Sequence, residues 1–120
     1  MGKKIFKRSK KNLFKFERSI QLQILAGIQK VSSNPLPDVG YGKPLGNKGE
    51  NNLTGFFKIK YKGIGIRVVY SLVMDSKIMN ILVISKRDDN FCYEYANKIY
   101  QKYGDSVFQD IFEKVEIKNK

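Results

Sequence analysis

Apolar positions along this chain change period, and the changes mark its elements. Ile20, Ile24, Leu25, Ile28 and Val31 recur at spacings of mostly three and four, which lays one stripe along a helix. The stripe stops at Ser32-Ser33-Asn34-Pro35, where proline disfavours helix in the residue before it. Upstream, Leu13, Phe14 and Phe16 punctuate a lysine-rich segment. Ser9 is its candidate N-cap, and a break falls near Arg18-Ser19. Together the two segments predict a helical hairpin, preceded by a short strand over Lys3 to Lys7.

Between Pro35 and Gly55 the periodicity disappears, and this stretch holds every proline of the chain and many of its glycines. It predicts a long loop within one domain. Gly42-Lys-Pro-Leu-Gly-Asn-Lys-Gly invites comparison with a phosphate-binding loop, but it lacks the Gly-x-x-x-x-Gly-Lys-Ser/Thr spacing and the flanking strand and helix.

Three strand-like runs follow: Phe56 to Tyr61, Ile66 to Val73 and Ile78 to Ser85. Gly63 and Gly65 mark the first turn, Asp75-Ser76 the second, and connections this short demand antiparallel hairpins. The third run is almost continuously apolar, as in a strand at the sheet centre. Asp88-Asp89-Asn90 offers N-caps for a helix over about Phe91 to Tyr103, ended by Gly104. In the tail, Val107, Phe108, Ile111, Phe112 and Val115 are spaced for a short amphipathic helix, and its acidic residues nearly balance its lysines. The expected fold is α+β: an N-terminal helical hairpin on a small, mostly antiparallel sheet of about four strands, with a C-terminal helix. At 120 residues one domain is expected over 1–120, its core at about 3–103 and an extension at 104–120.

Composition adds the class of partner. With 42% hydrophobic and 12% aromatic residues the chain has the means to bury a core. A net charge of +12, from 23 Lys+Arg against 11 Asp+Glu, points to a polyanion, with nucleic acid ahead of membrane because no basic helix with a clean apolar face dominates. The single Cys92 excludes an internal disulfide, and with no histidine a zinc site is not expected. No apolar run has signal-peptide or membrane-span length. A cytoplasmic protein without cofactor is the expectation.

Chemistry concentrates where basic residues sit inside the strand-rich segment: Lys58, Lys60, Arg67 and Arg87, with Tyr93 close behind. Side chains two apart on a strand share a face, so Lys58 and Lys60 point together while Phe57, Ile59 and Tyr61 point away. If Tyr61 pairs with Ile66, Lys60 falls opposite Arg67. Like charges facing one another destabilise a sheet by about 0.2–1 kcal/mol, and an anion is the natural compensation. Simple parity does not bring Arg87 to that face; the chain would have to turn on leaving the sheet. Two plainer readings stay open. Lys58, Lys60 and Lys62 could line a solvated face, and Tyr93 could be packing alone, like Tyr95 and Tyr100.

Leu53-Thr-Gly-Phe-Phe-Lys-Ile-Lys-Tyr, Ile66-Arg-Val-Val-Tyr70 and Ile84-Ser-Lys-Arg-Asp-Asp-Asn-Phe-Cys-Tyr93 resemble the core blocks of the RelE/ParE toxin superfamily, in its RelE branch. With the helical segments before Pro35, the resemblance covers about residues 3–103. It implies the toxin of a type II toxin-antitoxin pair that cleaves mRNA in the ribosomal A site, the 2′-hydroxyl attacking the adjacent phosphate without metal. The matching positions are Lys58, Lys60, Arg67, Arg87 and Tyr93; Lys62 and Lys86, outside that match, are expected as further RNA contacts. It also implies a cognate antitoxin, the ribosome and mRNA as partners, with DNA reached only through the antitoxin complex. Departures are a longer Gly-rich loop before the Lys-x-Lys strand and the tail after Gly104.

In-line cleavage needs a base, stabilisation of the phosphorane and a donor at the leaving oxygen. Without histidine, Lys60 is the expected base, its neutral form favoured by neighbouring cations. Lys58 and Arg67 are expected as phosphate clamps, Arg87 as stabiliser or donor at the leaving oxygen, and Tyr93 as a stacking platform. The alternatives are a ParE-like gyrase poison and a non-catalytic nucleic-acid-binding module. The ordered basic set speaks against the first. The second would tolerate Lys-to-Arg exchange at Lys58 and Lys60.

Overall fold

The computed structural model describes residues 2–34, 43–48, 51–73, 77–86, 88–109 and 113–114. In chain order these form β1 (Gly2–Ile5), α1 (Lys7–Phe14), α2 (Arg18–Ser32), β2 (Lys43–Lys48), β3 (Asn51–Tyr61), β4 (Ile66–Val73), β5 (Ile78–Ser85) and α3 (Asp89–Tyr103). A 3-10 helix over Gly104–Phe108 and a short β6 (Glu113–Lys114) follow. The strands lie side by side in the order β2-β3-β4-β5-β1-β6. The architecture is α+β on a mixed sheet.

Both faces of the sheet are covered, so β4 and β5 read as near-continuous apolar runs. One core joins Ile24, Ile28 and Val31 of α2 and Leu13 of α1 to Ile66, Val68, Tyr70, Ile81 and Ile84. The other joins Phe56, Val69, Leu82 and Val83 to Cys92, Tyr93, Ala96 and Ile99 of α3. Along β4 every residue is buried except Arg67, which is half-buried. That exception lies on the α3 side, near the β3–β4 turn.

Local chemistry explains the boundaries. Asp88 caps α3, its carboxylate accepting from the Phe91 amide at 2.9 Å. Gly104 ends the helix at φ 59°, a left-handed backbone that suits glycine. In α2, Gly27 sits where a Cβ would come within 2.4 Å of the Tyr61 ring. The bare backbone lets that ring lie on the helix and its hydroxyl donate to the Ile24 carbonyl at 2.6 Å.

Several expectations are corrected. The loop expected over 35–55 contains β2 and the first half of β3, paired antiparallel; Gly/Asn-rich sequence hides a strand whose partner is supplied by the sheet. The Lys43–Lys48 stretch is therefore strand. More than four strands pair, and β1 runs parallel to β5. The two N-terminal helices exist, but α1 lies chiefly on β5 and α2 on β3, so they spread over the sheet rather than closing on each other as a hairpin.

Ser9 does not cap α1. The N-cap is Phe6, without a side-chain bond, and the Ser9 hydroxyl donates to the Leu82 carbonyl. The reason is a bulge: Val69 pairs with Val83 and Tyr70 with Ile81, leaving Leu82 without a partner across the strand. The tail is not an amphipathic helix where it is described. Val107 and Phe108 pack into the α3-side core, and the Val107 carbonyl accepts from Ser71 and Asn80, two buried polar side chains of the sheet. Asn80 also donates to the Gln109 carbonyl at 2.9 Å. Residues 104–109 thus pack on the chain's own body.

Candidate active site

The β3–β4 register pairs Tyr61 with Ile66, the condition set in the sequence reading, and so Lys60 with Arg67. Phe57, Ile59 and Tyr61 pack on the α2 side, while Phe56 packs on the α3 side. Lys58 and Lys60 share the face of Phe56 because strand side chains alternate. Lys60 is exposed, Lys58 and Arg67 are half-buried.

The bulge at Leu82 decides what joins them. An extra residue in one strand re-aims the side chains beyond it, and Ser85 ends up directly opposite Arg67. Lys60, Arg67 and Ser85 form a row across three strands at the sheet's end. Lys58, Val69 and Val83 form a second row of paired positions one step inward. Sequence reading missed Ser85, because a bulge inside an apolar run leaves no mark in the pattern.

Helix α3 closes the site from above. Tyr93 is buried, at 6% exposure, and its hydroxyl accepts from the Lys58 ammonium at 2.9 Å, with the same nitrogen 5.6 Å from the ring centre. A ring so enclosed offers no open face to a nucleobase. Where a stacking platform was expected, the structure shows a buried ring whose hydroxyl accepts from Lys58. Lys62 is exposed in the β3–β4 turn rather than on the strand, and Lys86 is exposed just beyond β5. Arg87 lies outside the described residues.

The arrangement is suited to an oxyanion. Arg67 offers a planar fork of donors and the two lysines offer point charges, all on one rim with α3 behind. Among the described residues no three His, Cys, Asp or Glu side chains come together, so these side chains form no cation cage there. Tyr61 and Tyr70 serve the fold instead: burial pushes both hydroxyls above their ordinary value of 10.0.

This architecture is RelE-like. The isolated E. coli RelE toxin superposes with a TM-score of 0.58 at 19% identity, over 82% of this chain and 97% of that one. An arginine-substituted variant of E. coli RelE in the free state gives a TM-score of 0.62 at 19% identity, over 82% and 98%. The toxin of the intact E. coli RelBE toxin-antitoxin complex gives 0.57 at 17% identity, over 72% and 96%. No protein-family model and no curated protein sequence matches the chain.

Proposed function

We propose that this protein is the toxin of a type II toxin-antitoxin pair and an endoribonuclease that cuts mRNA in the ribosomal A site. The observation that carries the reading is the row Lys60–Arg67 across paired strands, with Lys58 held beside it by Tyr93, on a RelE-like fold. A non-catalytic phosphate-neutralising surface needs positive charge but no buried tyrosine to fix one lysine, and half-burial of Lys58 and Arg67 strengthens their pull on an anion.

In this mechanism Arg67 and Lys58 hold the scissile phosphate and meet the charge that develops on its equatorial oxygens. Lys60, the most open of the three, takes the proton from the 2′-hydroxyl, which attacks the adjacent phosphorus. The 5′-oxygen leaves, giving a 2′,3′-cyclic phosphate. Arg87 stands two residues after Ser85 and is proposed to stabilise or protonate that leaving oxygen. Lys62 and Lys86 neutralise flanking phosphates. The partner in the cell is an antitoxin, which in the E. coli RelBE complex is RelB. Among the described residues no helix is long and apolar enough to cross a membrane, and the proposed place of action is the cytoplasm.

The test is induced expression without a partner, followed by mapping of mRNA ends. Arrested translation with 5′ ends inside codons at the A site is expected. Intact mRNA alongside inhibited DNA supercoiling would place the protein with the gyrase poisons.

A further inference from the structure

A second basic surface lies away from the Lys58–Arg67 rim, in a cleft of about 640 Å³ between α1 and α3. Lys7 and Lys11 stand one helical turn apart on α1, and Lys98 and Lys102 one turn apart on α3; all four line the cleft and all four are exposed. Among the described residues, Arg8 is the fifth cation lining it and Glu94 the one acid. Lysine stripes facing each other across a gap repel, and a polyanion lying between them removes that repulsion.

The floor is aromatic. Phe6 and Tyr103 meet edge to face at 5.5 Å, and Phe91 and Tyr95 do the same at 5.9 Å. Arg8 donates to the Tyr95 hydroxyl at 3.1 Å, which fixes a guanidinium beside a ring. Cations alternating with rings are what a single strand of nucleic acid meets in a stacking groove. Among the described residues Ile99 is the one aliphatic side chain in the lining, so the floor presents flat ring surface, which suits stacked bases better than the aliphatic side chains of an amphipathic peptide. A smaller cleft of about 310 Å³ continues the first: it shares Phe91 and Tyr95 with it and adds Lys15, Lys86 and Ser85. Ser85 is the residue paired with Arg67. The groove therefore runs up to the candidate active site.

We propose that the α1–α3 cleft is a track for single-stranded RNA, holding the stretch of strand that extends from the scissile phosphate past Ser85 and Tyr95 toward Lys102. It rests on the reading of the rim as an RNA-cleaving site for its direction, and on the cleft's own chemistry for its occupant.

The experiment uses a fluorescent 2′-O-methyl oligouridine of twelve nucleotides, which cannot be cut, and reads binding by anisotropy over a salt series. The variant Lys7→Gln/Lys11→Gln/Lys98→Gln/Lys102→Gln changes exposed positions only, and its folding is checked by circular dichroism. Weaker binding is expected, with the slope of log affinity against log salt reduced by about 0.7 for each phosphate contact removed. Tyr95→Leu, which keeps an apolar side chain, is expected to weaken binding about tenfold at fixed salt through lost stacking. Wild-type affinity in the folded quadruple variant would overturn the track. So would poly-glutamate competing as well as unlabelled oligouridine, which would mark the cleft as an acidic-peptide surface. Cleavage of ribosome-bound mRNA is assayed separately: a wild-type protein that binds the probe through the cleft yet never cuts would refute the enzymatic reading and leave the track standing.

Discussion

At the scale of single residues, the site is a set of cations with graded exposure. Arg67 is the one position of β4 that escapes full burial, and a half-buried guanidinium acts mainly on charge that develops in the transition state. Arg67→Ala is expected to lower cleavage about 10²- to 10³-fold with an unchanged melting curve; wild-type cleavage by the folded variant would remove the clamp. Lys60→Arg keeps charge but not basicity, so it is expected to be inactive in the same ribosome assay, and normal cutting would reduce Lys60 to an electrostatic contact. Tyr93→Phe removes the acceptor that fixes Lys58 while sparing the packing of the ring. Its expected effect is a loss of about tenfold or more in cleavage, since small misplacement of a positioning group is expensive, with thermal stability nearly retained.

At the scale of elements, the contacts between helix and sheet matter more than intrinsic propensity. Glycine inside a helix is worse than alanine by about 1 kcal/mol, so Gly27→Ala would stabilise an isolated α2. In the folded protein the added methyl meets Tyr61, and the opposite sign is expected: a loss of about 1–3 kcal/mol, read by urea denaturation. Tyrosine burial on β3 and β4 also sets a pH limit. Tyr61 and Tyr70 have hydroxyls raised by burial, so the unfolded chain releases these protons first. Their contribution to stability is complete below pH 10.0, the ordinary tyrosine value, and declines as pH climbs beyond it. Denaturation midpoints collected from pH 8 to pH 12, roughly bracketing that value, are expected to fall only in the upper part of the range; a flat profile would contradict the burial of both hydroxyls.

At the scale of the whole molecule, the proposed toxin carries a net charge of +12 with cations concentrated on a rim and in a cleft, and its proposed partner is an antitoxin. The expected antitoxin places acidic residues over the rim and apolar ones over the sheet and α3. Such a complex combines screened charge pairing with unscreened apolar burial. Its affinity is expected to weaken only partly between low and high salt in calorimetry, and co-expression of the neighbouring gene is expected to restore growth. No stable complex and no rescue would refute that partnership. The segment 104–109 is already occupied in holding the fold through Ser71 and Asn80, so it is not a free arm for that partner.

Alternation and helical spacing by themselves determined α2, α3 with three candidate caps of which Asp88 serves, and the β3–β4–β5 meander from Phe56 onward, because each depends on neighbours close in sequence. From the same local pattern came the shared face of Lys58 and Lys60, and the short hairpin admitted the register that sets Lys60 opposite Arg67. What only the tertiary structure decided depends on partners distant in the chain. β2 is a strand because β3 lies beside it, β1 joins the sheet because β5 offers an edge, and Ser9 turns inward because the Leu82 bulge leaves its carbonyl to be met. Tyr93 is a case of the same kind: its spacing put it on a helix, but only packing against the sheet buried its ring and brought its hydroxyl to Lys58.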